Sequence, residues 1–449
     1  MIVDAGGNET LTQGLIRLIR SKPVGRDDLE KTALYVLDAV ANALAGRNSE
    51  PGRKILAWGK GRQGDAGRRA FVMGGLTHIL EVDDLHRASV VHTGCVTVPA
   101  AFALAHFLEE RGRAVPGETL LRAVLYGFEA AARVGMAVGP AHYRIWHNTA
   151  TCGPYGSAMT AATILGLDDE QAMHALGNAG TQSGGLWQFL ATGAMSKHLH
   201  AGRAAEAGVV AAELAALGFT GAPAILEGPA GFFAGACPDA DADAVLRDPG
   251  APWQVHLTSI KPWPSCRHTH PAIDAALALA GKADPAAIER IEVSTYGAAI
   301  DVCDRPVADS EYAAKFSLQH CVAAALQRGQ MDFAAFGPEA RSRAAPLAAK
   351  VRVDKGARYD AAYPVAWGAG VAVCLADGRR LEADRPQCKG DPEAALSADE
   401  MVAKARFLLR HGGVNDPERV IDGVLGLSNG GKAPDFTPMF SGGWRRGDA

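Results

Sequence analysis

Between residues 94 and 219 the chain is dominated by long segments rich in alanine and glycine, "PAAFALAHFLEERG", "GETLLRAVLYGFEAAARVG", "GSAMTAATILGLDDEQAMHALG" and "RAAEAGVVAAELAALGF". Alanine is the best intrinsic helix former, and small side chains let helix axes approach closely. The stretch therefore specifies a tight multi-helix bundle and carries almost no strand signal before residue 230. The N-terminal part agrees. "NETLTQGLIRLIRSK", with Asn8 or Thr10 as a cap, and "RDDLEKTALYVLDAVANALAG", which opens on carboxylates and stops at Gly46, read as two helices. In the second, Leu29, Leu34, Leu37, Val40, Ala41 and Leu44 recur at helical spacing and form a core-facing stripe.

After about residue 265 the texture changes. "IERIEVSTY", "KVRVDK" and "GAGVAVCLADGRRLEAD" carry β-favouring residues, whereas "SEYAAKFSLQHCVAAALQRG" and "SADEMVAKARFLLRHG" are helical. A chain of 449 residues exceeds one compact core, so the reading is mainly α with two domains. Residues 1–265 form a large helical domain, 266–400 a smaller α+β domain, and 401–449, which includes the helical "DPERVIDGVLGLSNG", return at least partly to the first.

A net charge of −4 without any basic block argues against nucleic acid or an anionic membrane as partner. No apolar run is long enough to span a bilayer, and "MIVDAGGNETLTQ" has none of the regions of a signal peptide, which predicts a cytoplasmic protein. The eight cysteines show no CxxC or finger spacing, so a zinc module and a disulfide scaffold are not expected.

Four polar segments feed helix starts in the same way. Asp83, Asp84, His86 and His92 lie in "EVDDLHRASVVHTGC" ahead of Pro99, and Tyr143 and His147 in "YRIWHNTATCG" ahead of Pro154. Lys197 lies in "SKHLHAGR", and Lys261, Cys266, Arg267 and His268 in "IKPWPSCRHTHP" ahead of Pro271. Both Pro99 and Pro154 suit the first helical position. Unpaired N–H groups and the positive end of the helix dipole favour anions at such places, and added His, Lys or Arg suits a di- or tricarboxylate. For any single segment, capping by Ser, Thr, Asp or His explains the residues as well. His86, His92 and Asp83 or Asp84 have ligand chemistry, yet no HExxH-type spacing sets two ligands on one helix face, so no metal is expected. "GKGRQG" (Gly59, Gly61, Gly64) matches GxGxxG but has no preceding strand, and reads as a basic surface turn.

For a polycarboxylate the accessible chemistry is removal of a proton beside a carboxylate. Cations such as Lys197, Lys261 and Arg267 would neutralise the enolate-like charge, and a histidine such as His92 or His147 would serve as base. Asp83 and Asp84 would orient a histidine or bind a substrate hydroxyl.

On "LDAVANALAG", "RRAFVMGGLTHILEVDDLHRASVVHTGCVTVPAAFALA", "WHNTATCGPYGSAMTAATILGLD", "MSKHLHAGRAAEAGVVAAELAALGFTGAPAILEGPAGFF", "IKPWPSCRHTHPAIDAA" and "AAKFSLQHCVAAAL", the chain resembles the MmgE/PrpD family over nearly its whole length. The resemblance implies a large all-helical domain with an inserted α+β domain, an active site between them, a homodimer and catalysis without a cofactor. It implies roles for Asp84, His92, His147, Lys197 and Tyr143 in catalysis. Asp83, His86, Lys261, Cys266, Arg267, His268, Lys315 and His320 would hold a small polycarboxylate. The lyase of 2-methylcitrate dehydratase type comes first. "DDLHRAS" and "GGLWQF" lean toward epimerases of iminodisuccinate-like substrates, and a carboxylate-binding relative without catalysis is the third reading.

Overall fold

The computed structural model describes residues 9–61 and 64–434. Helix accounts for 60% of the described residues and strand for 8%, so the fold is mainly α. The chain divides into two compact units, Met1–Thr258 with Ser397–Ala449, and Ser259–Leu396. Among the described residues no helix is long and apolar enough to cross a membrane.

In the first unit, Thr10 caps the helix Leu11–Ser21 through a reciprocal pair. Its hydroxyl accepts from the Gln13 amide at 3.3 Å, and Gln13 Oε1 accepts from the Thr10 amide at 3.0 Å. Asn8, the alternative cap, lies outside the described residues, as do Arg62 and Gln63 of the GKGRQG turn. The helix Arg26–Gly46 buries Leu29, Leu37, Val40, Ala41 and Leu44, and leaves Leu34 half-buried. The segment read as one run from residue 156 to 177 is two helices. Asn148–Leu165 ends at Gly166 (φ +75°), and Asp168 starts Asp169–Gly180 by a capping box with Gln171.

Two helix starts differ from expectation. Pro99 and Pro154 do not open their helices but sit inside Gly94–Glu109 and Asn148–Leu165. Each helix begins earlier because acceptors outside the proline-based pattern take its first amides. The Asp84 carboxylate accepts from Gly94 N, and the His147 carbonyl accepts from Ala150 N and Thr151 N. Pro99 then leaves the Cys95 carbonyl without its helical donor. That carbonyl lies against Gly74, where a Cβ would stand 2.9 Å from it. Pro271, by contrast, does sit in the first turn of His270–Leu279.

Small residues set the distance between the helices that hold the polar segments. Ser196–Ala216 packs against both Asn148–Leu165 and Ala66–His78. At Gly208 any Cβ would overlap Ser157 Oγ and the Ala158 amide nitrogen of the facing helix. The alanine and glycine content thus brings three backbones together.

The second unit carries a four-stranded sheet in the order Val351–Lys355, Ile288–Thr295, Ala369–Leu375, Arg380–Arg385. The first pair is parallel (Val293 opposite Val353) and the others antiparallel (Val293 opposite Val371, Val371 opposite Ala383). Ile291, Val293, Val371 and Val373 share a buried core with Ile273, Ala276, Val322 and Leu326. The run at 310–329 is broken: Glu311–Lys315 ends, and Ser317 caps a new helix, Leu318–Arg328.

Gly208→Ala is expected to cost about 1–3 kcal/mol, because the added methyl must push the Ser157–Ala158 backbone aside. Urea unfolding checks this; an unchanged midpoint would show that the contact yields freely.

Candidate active site

The helix Ala66–His78 ends on His78, and the chain reaches the Gly94 helix through a polar segment that is almost wholly buried. Two residues in it, Glu81 (φ +61°) and Val90 (φ +52°), occupy the left-handed region without being glycine. Such conformations cost on the order of 1–3 kcal/mol each and persist only where surrounding contacts hold them. Here Glu81 is held by its ion pair with Lys197, and Val90 lies between Ser89, whose carbonyl accepts from Asn148, and Val91, whose carbonyl accepts from His86 N.

Asp83 has no exposure to solvent. Its Oδ2 lies 2.7 Å from His78 Nδ1 and 3.3 Å from His92 Nδ1. His92 Nδ1 is also 2.6 Å from the Asp84 carbonyl oxygen. A carbonyl only accepts, so His92 Nδ1 carries the proton and a neutral His92 presents Nε2 as a lone pair. The His78 and His92 rings stand 4.4 Å apart, and His147 stacks on His78 at 5.7 Å and 18°. His78 Nε2 is buried and has no hydrogen-bond partner among the described residues.

His147 immediately precedes its helix, and its amide donates to the Gly185 carbonyl at 2.9 Å. Its Nδ1 lies 3.3 Å from His200 Nδ1, and its ring 4.7 Å from that of Trp187. Lys197, in the first turn of Ser196–Ala216, places Nζ 2.5 Å from Glu81 Oε1. Three helix starts, at Gly94, Asn148 and Ser196, thus bring His92, His147 and Lys197 into one set with His78, Glu81 and Asp83.

Burial alone would raise the Asp83 carboxyl, but the charges and hydrogen bonds of His78 and His92 hold it well below the usual range. The surrounding imidazoles move toward neutrality. Burial, followed by the charges of His78, Lys197, His200 and His92, pushes His147 well down. Burial first, then His78, brings His198 to about 3 and His200 to about 4. His147, His198 and His200 are therefore neutral near pH 7. Burial, then Asp83 and Asp84, raises the Cys95 thiol well above its ordinary value, so it stays protonated.

His78, Asp83 and His92 also form a compact donor set for a metal, with one ligand atom from each within 4.8 Å of the others. The separations are those of hydrogen bonds. At 2.7 Å from Asp83 and 2.6 Å from the Asp84 carbonyl, the two Nδ1 atoms are engaged as donors, and ligation through them would need both to lose a proton and move.

The other sequence-chosen residues have defined surroundings. Asp84 is committed to the helix start, accepting from Gly94 N at 3.0 and 3.1 Å and from the Thr93 hydroxyl at 2.8 Å. Burial, then Asp83, raises its carboxyl to about 7 despite these donors. His86 Nδ1 meets Ser89 Oγ at 2.8 Å, which closes the turn in this segment. Half-buried Tyr143 packs edge-on against Trp187 at 5.4 Å.

Lys261, Cys266, Arg267, His268, Lys315 and His320 belong to the second unit. There Lys261 is fully buried, and Arg267 pairs with Asp391 and contacts Cys388 Sγ. His268 stacks on Trp367 at 4.6 Å and meets Tyr296 Oη at 2.7 Å. Cys266 is half-buried, its amide donating to the Lys315 carbonyl at 2.9 Å. Lys315 Nζ lies 3.0 Å from Glu311, and His320 Nε2 lies 2.9 Å from the Ala335 carbonyl oxygen.

Sequence reasoning did not single out His78, Glu81, His198 or His200. His78 reads as the end of an apolar helix, and its one signal is that it lies five residues before Asp83. Glu81 reads as an ordinary acidic loop residue, since a positive φ at glutamate leaves no trace in sequence.

Comparison with known proteins gives matches over most of the chain. Residues 19–244 match the MmgE/PrpD N-terminal domain and residues 263–425 the MmgE/PrpD C-terminal domain. A cis-aconitate decarboxylase of Aspergillus terreus is 26% identical, covering 92% of this chain and 91% of that protein. The mouse cis-aconitate decarboxylase is 28% identical over 75% of this chain and 70% of its own length. The human one is 34% identical over 36% of this chain and 34% of its own length.

A pH prediction follows from the neutral imidazoles. His86 (about 4), His198 (about 3) and His200 (about 4) are all depressed in the fold by burial first, so the unfolded chain binds more protons below about pH 6.5. Each contributes stability that is present above pH 6.5 and lost as pH falls toward 4, by up to about 1.4 kcal/mol per pH unit. Asp84, raised to about 7, acts in the opposite direction over the same window, as do the raised Glu213 and Asp274 carboxyls, but the lowered histidines, with His142, His147, His268 and His320 among them, are the larger set. Tm measured from pH 7.5 to 5 should fall steadily; a rise or a flat profile would contradict the assigned charge states.

Proposed function

The chain belongs to the MmgE/PrpD family and is an enzyme of its lyase type, and from that premise we propose that it removes a proton beside a carboxylate of a small di- or tricarboxylate. The single observation carrying this reading is the pair of contacts at His92. Asp83 and the Asp84 carbonyl hold Nδ1–H, so Nε2 is the basic nitrogen, and the Asp83 anion supports the imidazolium formed when it takes a proton. His92 Nε2 accepts the proton from the carbon, and the Lys197 ammonium neutralises the enolate-like charge. Loss of hydroxide from the neighbouring carbon then completes a dehydration. His147, held neutral, supplies a hydrogen bond without adding a second positive charge.

The named activity of the fungal, mouse and human relatives favours decarboxylation as the second reading. In that case carbon dioxide leaves first, Lys197 stabilises the carbanion, and a protonated His92 returns a proton to carbon.

Incubation with 2-methylcitrate, citrate, cis-aconitate and iminodisuccinate in D2O, followed by NMR, tests the proposal. A new vinylic product from a hydroxy acid identifies dehydration, and loss of a carboxylate carbon identifies decarboxylation. Deuterium entering an otherwise unchanged skeleton identifies epimerisation and displaces the lyase reading. His92→Asn, which keeps a donor for the Asp84 carbonyl, and Lys197→Met should each lower kcat by about 10²-fold or more with the fold retained. Near-native turnover in both would remove the assignment.

A further inference from the structure

Glu81 has no part in the chemistry above, yet the structure holds it at some cost. It is 2% exposed, its backbone is in the left-handed region, and its carboxylate meets Lys197 Nζ at 2.5 Å. Glycine or asparagine would satisfy that backbone more easily, so the side chain is what the position serves. Both partners are nearly out of solvent, with side chains 3% and 7% exposed.

The groups around Lys197 leave its charge to be balanced locally. From its own helix come His198 and His200, from the start of the Asn148 helix His147, and from the start of the Gly94 helix Cys95. All four are neutral near pH 7; the Asp83 carboxylate of the same set is shared between His78 and His92, whereas Glu81 brings a negative charge into direct contact with Lys197. Burial disfavours an ammonium, and an adjacent carboxylate restores it.

We propose that Glu81 is a positioning residue that keeps Lys197 in its ammonium form and aims it into the site, which makes Lys197 the cation and proton donor of the reaction and leaves the base role to His92. The role in turnover rests on the proposed function; the effect on Lys197 itself does not. The sign is fixed. Removing the carboxylate makes the ammonium harder to keep, so the neutral amine appears at lower pH.

Two readouts on the full-length chain test this. Cyanate carbamoylates only neutral amines, and peptide mass spectrometry reports the rate at Lys197. At pH 8, Glu81→Gln should react about tenfold faster than wild type, the equivalent of one pH unit. Glu81→Asp, which keeps the charge on a shorter arm, should fall between them. Should Glu81→Gln not fold, an increase of about threefold in Glu81→Asp carries the same prediction. Equal rates at Lys197 in the folded variants and wild type overturn the proposal.

In kcat/KM against pH, for whichever polycarboxylate the wild type converts, the high-pH limb of Glu81→Gln should move down by about one unit. A uniform loss with the limb unmoved marks a structural role and also overturns it. If the wild type converts none of the candidates, the proposed function fails, and the cyanate rates still decide the question of Glu81.

Discussion

A carboxylate without solvent, shared between two imidazoles, is the interaction on which the first unit's polar site depends. Burying Asp83 is costly unless charge and hydrogen bonds compensate, and the compensation comes from Nδ1 of His78 and His92. Each contact fixes a ring orientation. With Asp83 in place, His92 is held between a side chain and the backbone carbonyl of the next residue. His147 then stacks on the back of His78.

This arrangement depends on helix packing as much as on charge. The site residues come from the ends or starts of Ala66–His78, Gly94–Glu109, Asn148–Leu165 and Ser196–Ala216, and these helices pack tightly because Gly74 and Gly208 leave no room for a Cβ. The close approach excludes water, which in turn depresses His147, His198 and His200 and removes competing positive charge from around Lys197. The connecting segment bears the strain, with Glu81 and Val90 in conformations that such side chains adopt only under constraint.

Much of this was legible in the residues. Alanine-rich periodicity foretold the helical body, β-favouring runs foretold the strands at 288–295, 351–355, 369–375 and 380–385, and polar segments before helices pointed to His92, His147 and Lys197. The helix starts were misplaced because Asp84, ten residues upstream in sequence, caps Gly94 through a tertiary contact. Propensity assigns that start to Pro99. His78 was hidden for a related reason. A histidine closing an apolar helix looks like any core histidine until the chain turns back and sets Asp83 beside it. The division between Asp83, which orients histidines, and Asp84, which holds a helix, is invisible in an adjacent pair of identical residues.

The central claim, that Asp83 and the Asp84 carbonyl hold the proton of His92 on Nδ1 and leave Nε2 unprotonated, is most directly tested by 15N NMR of histidine-labelled protein. The His92 signals are identified by their disappearance in His92→Asn. Near pH 7.5 the account predicts a protonated Nδ1 and an unprotonated Nε2 at His92. A proton on Nε2 with Nδ1 bare would contradict it.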